Sequence, residues 1–272
     1  MNKSGKIIRY GQCIVFLVLL IAGVTKLQAS RLQTVINPKD DAILEQAKIQ
    51  ERKATLQLSF LERMPNFGFQ NLLADWTFLN FLQYFGNTEY RTVTDYSLSA
   101  DYFDIIIERD PYSYLPYTYL SSSISLFAGQ PERAVQLQEK GLKSLGPGFP
   151  PKSYFIWRHK GIDEILFLDD YEAAARSHEI AADWAAESTD PRAEEDQYSL
   201  RRTAKFLAQN PDRTQVQISA WAQVLNTAPD QKTQAVAVEN IEALGAEVVR
   251  DESGRYFIQR KQEDGSEPTP DS

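Results

Sequence analysis

The stretch DYEAAARSHEIAADWA, Asp170 to Ala185, decides how the rest of the chain is read. Its alanines recur at helical spacing and leave little volume along one face, which suits a helix pressed closely against another. An acid and a tyrosine open it at a turn, and Pro191 follows shortly after its end. Earlier in the chain PERAV, Pro131 to Val135, comes after a turn at Gly129-Gln130-Pro131 and sets Ala134 opposite Ala173, 39 residues apart.

Around these two stretches the same order of features recurs. A helix ends before Pro111, a second runs to about Phe127, and a third runs from the turn to about Leu145, where Gly146 and Pro147 stop it. The next unit, Pro150 to Pro191, has proline at its start, an aromatic helix, a turn at Asp169-Asp170 and the alanine-rich helix. A weaker third copy runs from Glu194 to Asp230 with its turn at Asn210-Pro211-Asp212. Three helix pairs at a near-constant period predict an all-α solenoid whose units bury apolar faces against their neighbours.

This grammar resembles the tetratricopeptide repeat over about Asp101 to Pro229. Tyr171 stands at the turn, Ala173 or Ala174 at the small packing site, and Ala181 or Ala182 closes it. Ala134 and Ala173 are therefore expected to pack paired helices together. Ser121 and His159 stand near the place where the family has a small, glycine-like residue, and the period is longer than the usual 34 or so residues. The whole chain also resembles uncharacterised membrane-anchored repeat proteins of cyanobacterial type, which share a segment similar to GFQNLLADWTFLNFLQYFG. That resemblance implies a body in the periplasm or the thylakoid lumen.

Residues 1–30 read as a signal anchor. Lys3, Lys6 and Arg9 precede an apolar run from Tyr10 to Val24, and Leu27 spoils the small-residue pattern that cleavage after Ala29 needs. An uncleaved transmembrane helix with its N-terminus in the cytoplasm follows from the positive-inside bias. Residues 31–64 read as a stalk helix, opened by Asn37 and Pro38, with Ile43, Ala47, Ala54, Leu58 and Leu61 along one side. The repeat region spans 65–245, a β-hairpin 246–260 with Gly254 in its turn, and an acidic, disordered tail 261–272.

The charge of -8 and pI of about 5.0 disfavour nucleic-acid binding, because such a surface repels phosphate. The basic groups Arg158-His159-Lys160 and Arg201-Arg202 with Lys205 read as solvated helix faces. Cys13, the single cysteine, lies in the anchor, so the body has no internal disulfide and no thiolate metal site. The two histidines, His159 and His178, have no metal-ligand spacing, and no phosphate-binding or nucleophile motif is present. The chain is accordingly read as not an enzyme, with no cofactor and no metal.

NLLADWTFLNFLQYFGN, Asn71 to Asn87, is apolar nearly all round and reads as a helix buried on most sides. Its acid, Asp75 beside Trp76, reads as a structural anchor that accepts hydrogen bonds from a helix end, a tyrosine or an arginine such as Arg109. Tyr102, Tyr112, Tyr114, Tyr117 and Tyr119 are more aromatics than a core needs, and they are expected to line a groove that binds a protein or peptide. The function these features imply is a membrane-tethered scaffold or assembly factor for a membrane complex. The alternatives are a permanent structural subunit and an enzyme using Asp75 with nearby tyrosines or His159.

Overall fold

The computed structural model of the chain describes residues 40–65, 68–209, 211–250 and 256–260. The expected anchor over 1–30, the turn at Gly254 and the tail over 261–272 lie outside them. The described chain is mostly helical and ends in a two-stranded antiparallel sheet. Its contacts separate residues 1–52 from 53–272, a boundary within helix α1 (Asp40–Arg63). No helix among the described residues is long and apolar enough to cross a membrane.

Helix α2 (Gln70–Gly86) is buried along one side, by Ala74, Thr77, Phe78, Phe81, Tyr84 and Phe85. These residues recur every three or four positions, as a single packed face requires. Phe81 meets the edge of Phe103 at 4.7 Å and lies 5.9 Å from Tyr102. After the short α3 (Thr88–Thr94), helix α4 (Ser99–Arg109) supplies Phe103 and Ile106 to this core, and Leu58 and Leu61 of α1 join it. The opposite face of α2 is exposed. Leu72, Asp75, Trp76 and Leu79 all lie there, so burial on most sides is not what the structure has, and Asp75 is exposed instead of being a buried anchor. Arg109, its expected partner, donates instead to the carbonyls of Leu61, Glu62 and Met64 at 2.9–3.2 Å and so caps the end of α1.

Helix α5 (Tyr114–Leu120) passes directly into a π-helix, π1 (Ser121–Phe127), and α6 (Pro131–Leu142) returns along it. Helices α7 (Tyr154–Leu166) and α8 (Tyr171–Ala186) form the next pair. Contacts across each pair run in opposite order, Tyr117 to Gly141 and Ser121 to Gln138 in the first, Gly161 to His178 and Phe155 near Ala185 in the second. Both pairs are therefore antiparallel. The buried residues of α6 are Ala134, Leu137, Gln138, Gly141 and Leu142, and those at the matching places in α8 are Ala174, Ser177, His178, Ala181 and Ala182. The spacing is 174 − 134 = 40 residues, one more than the sequence alignment gave. Ala174, not Ala173, is the counterpart of Ala134. Ala173 is half-buried, and its N–H donates to the capping carboxylate of Asp170 at 2.8 Å. At the same spacing from Ser121 stands Gly161, which takes the place expected of His159.

The third pair departs from the expected pattern. Helix α9 (Ala193–Leu207) packs on α8, but α10 (Arg213–Thr227) turns onto α7 and pairs with α11 (Gln231–Ala243). Val216 and Ala220 share a core with Ile165, Ala174 and Leu207, while Trp221 meets Phe167 edge-on at 6.0 Å. At position 221, where α6 and α8 have the small Gly141 and Ala181, α10 carries the large indole of Trp221. Strands β1 (Ala246–Arg250) and β2 (Tyr256–Arg260) pair antiparallel with Val248 opposite Ile258, and Ala246 packs on α11.

Candidate functional site

The five candidate tyrosines do not share one surface. Tyr102 and Tyr117 are buried, the first in the α2–α4 core and the second with its ring over Gly141. Tyr119 points the same way as Tyr102 and packs edge-on to Phe78 at 5.7 Å and Phe81 at 6.1 Å. The other two lie at the outer end of the pairs, where α5 and α7 begin.

Tyr112 is 49% exposed and lies 5.9 Å from the ring of Phe149, itself 65% exposed, with Leu115 at 57%. Tyr114, half-buried behind them, packs on Phe155 at 5.6 Å. Cations frame these rings. Lys152 sits 5.7 Å over Tyr114, and Arg158 and Arg192 lie 4.4 and 5.3 Å over Phe155. Burial raises the Tyr114 phenol above its ordinary range against the pull of Arg158 and Arg192, so it stays a neutral donor at pH 7. Two carboxylates hold the arginines in place, Asp190 at 3.9 Å from Arg192 and Asp196 at 3.9 Å from Arg158, and Tyr154 donates to Asp196 at 2.7 Å. The result is an exposed apolar and aromatic patch with a cationic border.

Behind this patch the chain buries charge that sequence reading placed in solvent. His159 and Lys160 are buried, and only Arg158 of that group keeps partial access. Lys160 pairs with Glu164 and reaches Glu139 at 3.4 Å and Ser177 at 3.3 Å, thereby joining α6, α7 and α8. Asp163 accepts from Ser121 at 2.8 Å and Gln138 at 2.9 Å. Burial nevertheless pushes its carboxyl up to about 7, against those two donors. His159 and His178 are pushed down to about 3 and 4 by burial, so both are neutral at pH 7. A cavity of about 30 Å3, room for a water molecule, lies between His159, Asp163 and Ser121 on one side and Trp221 and Thr233 on the other.

Asp75, on the exposed face of α2, contributes nothing to this cavity, so the convergence of Asp75 with His159 that an enzyme reading requires is not found. Asp163, Gln138 and Lys232 were missed in the sequence. For Asp163 the signal was weak but present: it follows His159 at i+4, the spacing of one helix face, between Ile162 and Ile165. Among the described residues no group of three or more His, Cys, Asp or Glu is placed to hold a metal. No model of a known protein family, no curated protein and no solved structure matches the chain.

Proposed function

We propose that the protein is a membrane-tethered interaction scaffold, or assembly factor, that holds a partner protein through the surface around Tyr112, Leu115 and Phe149. The exposure of these three side chains together carries the reading, since such clusters rimmed by polar groups mark interaction sites. Tyrosine and arginine are also the residue types that interfaces favour. The cationic border of Lys152 and Arg192 suits a partner that sets an acid beside an apolar side chain. Two antiparallel helix pairs in 40-residue register support a tetratricopeptide-like solenoid as the frame. The apolar run behind Lys3, Lys6 and Arg9 supports a tether that leaves the body on the translocated side, in the periplasm or thylakoid lumen.

The test is affinity capture of the tagged full-length protein from gently solubilised membranes, beside the Tyr112→Ala/Phe149→Ala variant. The wild type is expected to hold a stoichiometric protein whose recovery falls at least about tenfold in the variant, with the unfolding midpoint within about 2 °C, as for exposed sites. Equal recovery from both would remove this surface from the account. Tyr117 is unsuitable for such a test because its loss would open the core. A second reading, a permanent subunit of a larger complex, is favoured by the exposed Leu72, Trp76 and Leu79 on α2. It requires that the extracted protein never be found as a stable monomer.

A further inference from the structure

Lys232 stands in the first turn of α11, where the positive end of the helix disfavours a cation. Asp230 fixes that turn, accepting the N–H of Thr233 at 2.9 Å and its hydroxyl at 2.8 Å. The turn aims the Lys232 ammonium into a triangle of rings, 3.9 Å from Phe127, 4.0 Å from Tyr96 and 5.3 Å from Phe85, and it also donates to the Tyr96 hydroxyl. The three rings touch each other, with centroids 5.2–5.6 Å apart, so together they form an ammonium cage. Burial lowers Lys232 to about 8, and it still carries its proton at pH 7.

The element that Lys232 pins has an apolar core of its own. From Trp221 onward, Trp221, Leu225, Ala237, Ile241 and Ala246 pack among themselves and meet Leu126, Leu166 and Phe167, while Val216 and Ala220 earlier in α10 belong to the core of Ile165, Ala174 and Leu207. A small separate core of this kind opens as a unit at lower free energy than the whole fold. Beneath it lie His159, Asp163 and Ser121 and their cavity. We infer that α10 from Trp221 onward, α11 and strands β1 and β2 form a lid over the buried polar face of α5, π1 and α7, latched by the Lys232 ammonium in the Phe85–Tyr96–Phe127 cage. This device is separate from the surface around Tyr112 and does not rest on it.

The two histidines of the chain report on the lid directly. His159 lines the cavity under it, while His178 is sealed between α7 and α8 against Gly161. Diethylpyrocarbonate labelling of the full-length protein in mild detergent at pH 7, followed by peptide mass spectrometry, reads both in one sample. Lys232→Met keeps the stem and removes the charge, and is expected to speed labelling of His159 at least tenfold while His178 keeps its wild-type rate. Lys232→Arg keeps a cation and is expected to leave His159 slow. An unchanged His159 rate in K232M would overturn the latch, as would equal acceleration in K232M and K232R. A parallel rise at His178 would also overturn it, because Lys232 would then be holding the whole helical body.

Discussion

Replacing Gly161 by valine is expected to lower the thermal unfolding midpoint by about 4–8 °C, a net loss of about 2 kcal/mol. Gly161 faces α8 from the middle of α7, and any Cβ there would overlap the imidazole of His178, with Ser177 Cβ 3.4 Å away. His178 has no room to retreat, since it is fully buried and its Nδ1 is held 2.8 Å from the Ala174 carbonyl oxygen. Overpacking of this kind costs about 3 kcal/mol, and each kcal/mol moves the midpoint of a protein this size by about 2–4 °C. The overlap outweighs the gain of about 1 kcal/mol that a side chain brings over glycine inside a helix. Gly161→Ala with His178→Ala is expected to recover at least about 1 kcal/mol relative to the sum of the single changes. A G161V midpoint within about 1 °C of wild type would show that α7 and α8 do not approach as described.

Asp163→Asn is expected to change how stability varies with pH. The Asp163 carboxyl is raised from 3.8 to about 7 in the folded chain, with Glu164 adding to the effect of burial. The folded state therefore holds this proton between pH 4 and 7 while the unfolded chain has released it. Asp163 contributes stability below about pH 4, and that contribution is lost as pH rises through 7. The full difference is on the order of 4 kcal/mol at about 1.4 kcal/mol per pH unit. Asparagine keeps an acceptor for Ser121 and Gln138 but cannot ionise. Urea unfolding at several pH values is expected to show the wild type losing stability relative to D163N from pH 4.5 to 7.5. The comparison also cancels the contributions of His159 and His178, which run the other way: both are depressed, so their stability is present above about 6.5 and lost as pH falls. A constant difference between the two proteins would place Asp163 in contact with solvent.

The helix pairs were legible in the sequence because small residues and turn prolines mark close packing wherever they fall. The same signal was ambiguous by one position, since Ala173 and Ala174 are chemically identical and only burial against α7 chooses between them. Asp75 was misread for the opposite reason. Helix α2 has apolar residues on both faces, and no local pattern tells which face the core takes; Leu72, Trp76 and Leu79 went outward with the acid. In α7 the group Arg158-His159-Lys160 looks like a solvated surface, yet Lys160 pairs inside with Glu164, and Glu139 and Ser177 from two other helices join them. The tyrosines divided because residues 112–119 wrap around α5, so neighbours in sequence face different elements. The Lys232 cage joins residues 136 positions apart, beyond the reach of any local pattern.

The claim that Phe149 sits in a partner-binding surface is tested most directly by placing a photo-crosslinking benzoylphenylalanine there and irradiating intact membranes. Tyr198, 71% exposed on α9, serves as the matched control position. A discrete adduct of one added protein from position 149, and none from position 198, is the predicted result. No adduct from position 149, or the same adducts from both positions, would contradict it.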